Sequence, residues 1–286
     1  MQFDKNYRIW IVGAYGRVGS AINGLLDSRD VDLLCTDLEE VDITDSKEVK
    51  VFADMNRPDV IINCAGMTDV LACEAQREAA FRVNALGTRN LSIAARKINS
   101  RLIQISTDDV FGGDKKQPYD EFDQTDPQTI YGKSKLAGEM FVREFTPKHM
   151  IIRSSWIYGE GKSFVKDVLT SADKGETIYL PENQVASPTS AKELAKVIVQ
   201  LMNKGEDGTY HVACRGSVSR IDFAKEILKL ANKEAKILPT PKDHQAGINM
   251  RPSYSVLDNF MLRLCKVEEP MEWRAALAEY MEEIKE

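Results

Sequence analysis

A tyrosine and a lysine stand four residues apart in the segment YGKSK, at positions 131 and 135. Residues four apart lie on one face of a helix, so the Tyr131 phenol and the Lys135 ammonium would be neighbours. The unperturbed pKa of tyrosine is about 10, and a nearby positive charge lowers it by favouring the phenolate. Such a pair can give a proton to an oxygen that is becoming an alkoxide. The alternative is an accidental pair on an exposed helix face.

Polar side chains follow an apolar run in the segment STDDVFGG, which covers positions 106–113. In an open parallel sheet, ligands bind at the loops that follow the carboxyl ends of the strands. If this strand lies beside the helix of Tyr131, the Thr107 hydroxyl can donate to the oxygen that Tyr131 protonates, and two such donors stabilise an oxyanion. The alternative is that Ser106 and Thr107 only cap the strand. The predicted catalytic residues are Thr107, Tyr131 and Lys135, and the predicted substrate contacts at this strand end are Ser106, Thr107, Asp108 and Asp109.

A glycine-rich turn, GAYGRVG at positions 13–19, follows the first apolar run and opens a helical pattern. Glycine permits a tight turn, and the unpaired N–H groups of the next helix attract a pyrophosphate. Asp37, at the end of the second strand, can bond ribose hydroxyls and would repel a 2′-phosphate, although Arg17 could offset this. The cofactor is therefore predicted to be NADH or NADPH, and the alternative is a tight turn without a ligand. The cofactor contacts predicted from these patterns are Gly13, Tyr15, Gly16, Arg17, Val18, Gly19, Asp37, and Asn63, Ala65 and Gly66 at the end of the third strand.

Short apolar runs alternate with helical patterns through the first half of the chain. They lie at positions 8–12, 31–37, 59–66, 101–106 and 150–155. The runs lack apolar-polar alternation, which indicates strands buried on both faces of a parallel sheet. The chain is therefore predicted to form a Rossmann-type, doubly wound α/β fold.

In the second half of the chain the apolar runs and helical patterns alternate less regularly. This part is predicted to form a smaller α/β substrate-binding lobe. Helices are expected near 163–173, 219–232 and from about 272, with a further strand at 208–214. Ser190 and Glu193 fit a capping box that opens another helix. We assign residues 1–160 and 187–214 to the dinucleotide-binding domain, and residues 161–186 and 215–286 to the substrate-binding lobe.

Composition excludes several classes of partner. The 286-residue chain has a formal net charge of −6, which argues against nucleic acid because that affinity rests on clustered Lys and Arg. No run approaches the roughly 18 apolar residues of a membrane helix, and the amino terminus lacks the pattern of a secretory signal. Five cysteines without a C-x-x-C pair suit reduced thiols, so we predict a cytoplasmic protein without a membrane partner. Three scattered histidines offer no metal-ligand spacing.

Together these motifs resemble the extended short-chain dehydrogenase/reductase superfamily and, within it, the dTDP-4-dehydrorhamnose reductase family. The resemblance covers nearly the whole length, and its further marks are RPDVIINCAG (57–66), RVNALGTRNL (82–91), YGKSKLAGE (131–139), RSSWIYG (153–159), NQVASPT (183–189) and RPSYSVLD (251–258). It implies reduction of the C4 ketone of a dTDP-linked deoxy-sugar with NADH or NADPH, toward dTDP-rhamnose.

The resemblance also implies roles for single residues. Tyr131 and Lys135 would contact the cofactor, Lys135 through the nicotinamide ribose, and Asp42 would lie near the adenine. Trp156 would contact the sugar nucleotide and Arg251 the substrate diphosphate. The alternatives are core packing for Trp156 and a surface salt bridge for Arg251.

Three departures from the family pattern bear on the substrate and the assembly. Asp109 stands where the family usually has Tyr, and MTDVLACE (67–74) replaces a segment usually written YTxVDxxE, so the sugar is expected to differ. Some members carry a Glu of an interface metal site where this chain has Ala21. We therefore predict no metal, and a homodimer stays open.

Two rival functions remain. Nucleotide-sugar 4,6-dehydratases carry Thr-Asp-Glu at this strand end, close to Thr-Asp-Asp at 107–109, and use the two carboxyls for water elimination; an epimerase of the superfamily is a related alternative. A non-catalytic dinucleotide-binding regulatory subunit would share the fold. The segments NQVASPT (183–189) and RPSYSVLD (251–258) resemble the reductase and favour it over a dehydratase, and the complete set of Thr107, Tyr131 and Lys135 argues against a regulatory subunit.

Overall fold

A six-stranded parallel sheet forms the centre of the fold. The computed structural model describes residues 7–26, 31–240 and 251–285, so parts of both predicted domains lie outside the described residues. The strands of the described residues are β1 (Arg8–Val12), β2 (Asp32–Thr36), β3 (Val60–Asn63), β4 (Arg101–Thr107), β5 (His149–Ser154), β6 (Ile157–Tyr158), β7 (Ile178–Leu180), β8 (Val185–Ala186), β9 (Thr189–Ser190), β10 (Gly208–His211), β11 (Val218–Ser219) and β12 (Ile237–Pro239). The central sheet has the order β10-β5-β4-β3-β1-β2, and its neighbouring strands are parallel.

Helices cover both faces of this sheet. Those of the described residues are α1 (Arg17–Leu25), α2 (Ser46–Asn56), α3 (Val70–Ala75), α4 (Arg77–Phe81), α5 (Thr88–Ile98), α6 (Ile130–Phe145), α7 (Phe164–Asp173), α8 (Ala191–Lys204), α9 (Arg220–Leu230), α10 (Phe260–Leu264) and α11 (Trp273–Glu283). Ile9 and Ile11 of β1 pack with α1 and α8 on one face, whereas Trp10 and Val12 pack with α2 and α5 on the other. Burial on both faces explains the unbroken apolar runs and confirms the predicted doubly wound fold.

Helix starts follow local side-chain chemistry in most places. Thr129 caps α6, because its Oγ1 accepts from the Gly132 nitrogen at 2.9 Å. The capping box predicted for α8 is wrong. Ser190 holds the N-cap position, but its side chain makes no capping hydrogen bond. Glu193 is drawn elsewhere, because its carboxylate accepts from the Met271 nitrogen at 2.9 Å and so joins α8 to the segment before α11.

The smaller lobe has its own apolar core. Tyr158, Phe223, Trp273 and Tyr280 are buried in one cluster that joins α7, α9 and α11. Three short strand pairs border it: β7 with β12, β8 with β11, and β6 with β9. The strand predicted at 208–214 does not join these pairs, since β10 extends the central sheet beside β5.

Two further features concern the whole chain. In the part of the chain that the structure describes, no helix has the length and apolar character needed to cross a bilayer. All five cysteines lie in that part and are free thiols, as their number and spacing predicted.

Two glycines of α1 offer a matched test of how tightly the first turn is packed. At Gly19 a Cβ would lie 2.3 Å from the Gly13 oxygen, whereas at exposed Gly24 it would meet nothing within 4 Å. We expect Gly19→Ala to lower the free energy of unfolding by about 1–3 kcal/mol through overpacking. Gly24→Ala should raise it by up to about 1 kcal/mol, because alanine favours helix. Urea denaturation compares the two variants, and equal effects would contradict this packing.

Candidate active site

The glycine turn and the segment after β3 lie against each other at the carboxyl ends of the strands. Gly13 has a φ of +71°, and a Cβ there would lie 2.7 Å from the Ala65 nitrogen. Gly16 is the N-cap residue of α1 and offers no side chain to the first N–H groups of that helix. An open helix N-terminus of this kind attracts anions. The backbone here therefore fits a pyrophosphate.

The side chains of the turn point in different directions. Tyr15 is 65% exposed, whereas Val18 is partly buried and packs against the core. Arg17 Nη1 donates to the Ile157 carbonyl at 3.1 Å, and its Nη2 donates to the Lys162 carbonyl. Arg17 therefore ties the glycine turn to the start of the smaller lobe.

Asp37 and Asp42 follow β2 and organise the loop there. Asp37 Oδ1 accepts from the Leu38 nitrogen at 2.9 Å, and Asp42 Oδ1 accepts from the Thr44 nitrogen at 2.8 Å. Both side chains are half-buried, so each can still accept a bond from a ligand. Their contacts with ribose and adenine stay predictions.

Asn63 supports the segment after β3 from inside the fold. Its Nδ2 donates to Gln104 Oε1 at 2.8 Å and to Thr88 Oγ1 at 3.3 Å, and its Oδ1 accepts from the Ala65 nitrogen at 3.1 Å. The side chain is fully buried. The Asn63 side chain therefore shapes the loop of Ala65 and Gly66, and its contact with the cofactor stays a prediction.

Gly66 brings this loop to the predicted catalytic lysine. A Cβ at Gly66 would lie 2.9 Å from Asn84 Oδ1 and 3.7 Å from Lys135 Nζ. The sequence reasoning missed Asn84, whose side chain bonds to both backbone groups of Met67 and donates to Ser134 Oγ at 2.9 Å. It lies in a π-helical turn, a feature that often marks functional sites but has no clear sequence signal.

Helix α6 presents Tyr131 and Lys135 to the end of β4. Gly132 rests on the backbone of that strand end, since a Cβ there would lie 2.1 Å from the Asp109 oxygen. Tyr131 is 8% exposed and Lys135 is 6% exposed, so the pair is not an accident of an exposed helix face. Lys135 Nζ donates to the Ile105 carbonyl at 2.6 Å.

The protonation of Tyr131 differs from the sequence prediction. Burial raises the pKa of Tyr131, and the Asp109 carboxylate raises it further, against hydrogen bonding from Thr107 and the charge of Arg251. The predicted lowering by Lys135 is therefore corrected. The lysine is itself desolvated, and burial lowers its own pKa to about 8. Tyr131 keeps its proton at neutral pH, which is the state that a general acid needs.

Thr107 and Asp108 end β4 in a buried hydrogen-bond network. Thr107 Oγ1 donates to Asp108 Oδ1 at 3.2 Å and accepts from the Asp109 nitrogen at 3.2 Å. Asp108 Oδ2 accepts from Ser155 Oγ at 2.9 Å and from Ser255 Oγ at 2.5 Å. Burial and the neighbouring Asp109 raise the pKa of Asp108 to about 6. Asp108 thus orients Thr107 and holds the smaller lobe against β4.

Asp109 forms a two-point ion pair with Arg251 of the smaller lobe. Arg251 Nε lies 3.2 Å from Asp109 Oδ2, and its Nη2 donates to Oδ1 at 3.2 Å. Asp109 is buried, whereas the Arg251 side chain is 28% exposed. This pair joins residues that were each predicted to contact substrate. In the structure Asp108 is bonded to two serines and Asp109 to an arginine.

Ser106 points away from Thr107, because successive side chains of a strand face opposite sides. Its Oγ donates to the fully buried Glu139 Oε1 at 2.6 Å. Ser106 therefore supports α6, and its contact with the substrate stays a prediction. The sequence reasoning missed Glu139, although a carboxylate four residues after Lys135 on the same helix face was a usable signal.

Trp156 lies beneath an arginine that the sequence reasoning also missed. The Arg220 guanidinium carbon is 3.3 Å from the centre of the Trp156 ring system and 4.7 Å from that of Phe164. Burial lowers the pKa of Arg220, while the charges of Asp108 and Asp109 raise it. One face of the indole is covered, so a sugar nucleotide could meet only its other face or its edge.

The described residues contain no grouped metal ligands. Across residues 7–26, 31–240 and 251–285, no three side chains of His, Cys, Asp or Glu are arranged to hold an ion. Ala21 is partly buried and packs against the core of the sheet.

Comparison with known proteins gives matches along nearly the full length. A family model described as the RmlD substrate binding domain matches residues 7–286. The dTDP-4-dehydrorhamnose reductase of Aggregatibacter actinomycetemcomitans is 35% identical to this chain, over 94% of this chain and 97% of that protein.

Solved structures agree with the sequence matches. A dTDP-4-dehydrorhamnose reductase from Clostridium acetobutylicum superposes with a TM-score of 0.93 at 38% identity, covering 98% of this chain and 100% of that one. The dTDP-4-dehydrorhamnose reductase of Bacillus anthracis, solved in complex with NADP, gives a TM-score of 0.93 at 36% identity, with coverages of 97% and 99%.

The ion pair between Asp109 and Arg251 should stabilise the fold. We expect Arg251→Met to lower the free energy of unfolding by about 2–4 kcal/mol, because it leaves Asp109 as a buried unpaired charge. Adding Asp109→Asn should recover at least half of that loss. The matched control is Arg263→Met, which breaks a two-point pair with Asp258 at the surface and should cost less than about 1 kcal/mol. Urea denaturation measures all three variants, and an Arg251→Met cost no larger than the control would contradict the assignment.

Proposed function

The chain belongs to the dTDP-4-dehydrorhamnose reductase family, and we propose that it reduces the C4 ketone of a nucleotide-linked deoxy-sugar with NADH or NADPH. The most direct form of this proposal is the conversion of dTDP-4-dehydrorhamnose to dTDP-rhamnose. The observation that carries it is the meeting of a buried phenol, a buried lysine and a threonine hydroxyl beside a glycine-lined loop.

The proposed reaction uses the phenol as a proton donor. Hydride addition at C4 leaves charge on the ketone oxygen, and Tyr131 passes its proton to that oxygen. Thr107 donates a second hydrogen bond to the same oxygen, and preorganised donors of this kind lower the barrier where charge develops. In the structure the single Thr107 hydroxyl proton is donated to Asp108 at 3.2 Å, so the hydroxyl would turn from Asp108 to the ketone oxygen to make this bond. The raised pKa of Tyr131 suits reduction, because the proton is present before the hydride arrives.

The same residues would hold the cofactor. When bound, NADH or NADPH supplies the hydride. The open N-terminus of α1 would receive the pyrophosphate, and Lys135, close to Gly66, would donate to the nicotinamide ribose. Asp37 would accept from the adenosine ribose, and its charge favours NADH. The Bacillus anthracis relative was solved in complex with NADP, which supports NADPH as an alternative cofactor.

The smaller lobe would bind the nucleotide diphosphate. Arg251 is the predicted contact, and an entering diphosphate would compete with Asp109 for its guanidinium. Asp109 would then carry a charge near the sugar where the family usually has a tyrosine. We propose that this substitution affects which 4-keto sugar is accepted. Free thiols support placing the reaction in the cytoplasm.

The phenol can be tested by removing one oxygen atom. Tyr131→Phe should lower kcat by about 10²–10⁴-fold, because it deletes the general acid. The affinity for NADPH, measured by fluorescence, should stay within about threefold, because the ring and its burial are kept. Tyr179→Phe removes the same atom from a tyrosine that is 52% exposed in β7 and should leave both values unchanged. Turnover retained in Tyr131→Phe would exclude Tyr131 as the acid.

The reaction class is tested with a panel of 4-keto nucleotide sugars. Loss of NADH or NADPH absorbance with dTDP-4-dehydrorhamnose, or with another 4-keto sugar, is the expected result. Consumption of dTDP-glucose without net oxidation of cofactor would indicate a dehydratase. If the protein binds cofactor but neither oxidises it nor consumes any of these substrates, a regulatory subunit would be supported.

A further inference from the structure

Helix α6 carries a buried carboxylate that the proposed reaction does not use directly. Glu139 is fully buried one turn after Lys135. Its Oε1 accepts from Ser106 Oγ at 2.6 Å and from Arg153 Nε at 3.0 Å. Its Oε2 accepts from Arg153 Nη2 at 2.8 Å and from Arg143 Nη2 at 2.9 Å. Both oxygens are therefore fixed in direction.

The partners of Glu139 lie on the two central strands. Ser106 of β4 and Arg153 of β5 face each other in the sheet register, so Glu139 spans the two strands. Lys135 donates to the Ile105 carbonyl, one residue before Ser106. Helix α6 is thus bonded to two successive residues of β4, directly before Thr107. These bonds set how far the phenol of the helix stands from the hydroxyl of the strand.

The charge of Arg153 is matched by Glu139. His211 of β10 faces the same guanidinium at 3.5 Å, and burial together with the Arg153 charge lowers the His211 pKa to about 3. The histidine is therefore neutral near pH 7. The ring of Phe111 covers the guanidinium from 5.2 Å. Glu139 supplies the full negative charge in this group.

Glu139 also supplies the negative charge that faces Lys135. The other titratable groups acting on the lysine are Cys64 after β3 and Cys73 on α3. Burial raises the pKa of Cys64 to about 12 and that of Cys73 to about 11, so both thiols are uncharged at neutral pH. Tyr131, one turn before Lys135, keeps its proton as well. Burial works against the lysine charge, and Glu139 works for it.

We propose that Glu139 is a positioning residue of the proposed reductase, which fixes the separation of Thr107 and Tyr131 and keeps the Lys135 ammonium charged. This inference rests on the proposed function. It gives Ser106 and Arg153 a shared purpose, since both hold the carboxylate in place. It also predicts two separable effects, one on geometry and one on charge.

The charge effect has a defined sign. Lys135 loses its proton as the pH rises, and its pKa of about 8 already includes the raising effect of Glu139. Without that carboxylate the lysine loses its proton at a lower pH. The alkaline limb of the kcat profile should therefore move toward neutral pH in Glu139→Gln, by about half a pH unit or more. Glu139→Asp keeps the charge on a shorter side chain, so the limb should stay while kcat falls.

The geometric effect is isolated at Ser106. Ser106→Ala removes one bond to Glu139 without removing charge, so kcat should fall by about threefold to tenfold with an unmoved alkaline limb. Glu193→Gln is the matched control for Glu139→Gln. It removes the charge of another buried carboxylate, which lies on α8 and bonds to Lys196 and Met271. It should lower stability without moving the limb.

Glu139→Gln leaves Arg153 as a buried unpaired cation and can fail to fold for that reason. The double variant Glu139→Gln/Arg153→Met removes both charges. The alkaline limb of its kcat profile should lie below the wild-type pH, as in Glu139→Gln. A limb that remains at the wild-type pH in either folded variant would overturn the proposal.

A readout without substrate separates this inference from the proposed function. The dependence of NADPH affinity on pH reports the charge of Lys135 even if no sugar is reduced. The high-pH loss of affinity should move to lower pH in the same two variants and stay in Glu193→Gln. An unmoved affinity profile would overturn the role of Glu139, whereas a moved profile with no reduction of any sugar would count against the proposed function alone.

Discussion

Helix α6 is fixed to strand β4 on both sides of Thr107, and the active-site geometry depends on this junction. Gly132 rests on the backbone that follows the threonine, while Lys135 and Glu139 bond to the carbonyl and the hydroxyl just before it. A helix held at three points along a buried strand cannot slide or turn without breaking several buried bonds. Tyr131 is carried by that helix, so its phenol and the threonine hydroxyl keep a constant relation. The glycine loops can then present a cofactor to a site that is already formed.

Two buried carboxylates beside this junction are each paired with an arginine. Asp109 is matched by Arg251 and Glu139 by Arg153, in each case through two hydrogen bonds. A buried charge without a partner is costly, so the pairs permit ionised groups close to the reacting centre. The first of these pairs acts on the neutral Tyr131. Burial and the Asp109 carboxylate raise the pKa of the phenol, and the Arg251 charge limits that rise.

The sequence was sufficient to predict the sheet, because strands buried on both faces leave unbroken apolar runs. It also predicted which motifs meet, since loops at the carboxyl ends of parallel strands share one edge. It did not predict where individual polar side chains point. Ser106 and Asn63 turn inward to buried partners, and Arg220 covers Trp156, because these directions depend on strand pleat and on distant segments. The prediction that Lys135 lowers the pKa of the phenol was also wrong, because the burial of the phenol depends on the whole fold.

The central claim is that one ketone oxygen is shared by Tyr131 and Thr107 beside the nicotinamide ring. A crystal structure of the chain with NADP⁺ and dTDP-rhamnose, or with the product of whichever 4-keto sugar is reduced, tests it most directly. The account predicts the C4 hydroxyl oxygen within about 2.6–3.2 Å of both the Tyr131 phenol oxygen and Thr107 Oγ1, with Gly132 still resting on the end of β4. A C4 oxygen bonded to neither side chain, with Tyr131 turned away from the sugar, would contradict it.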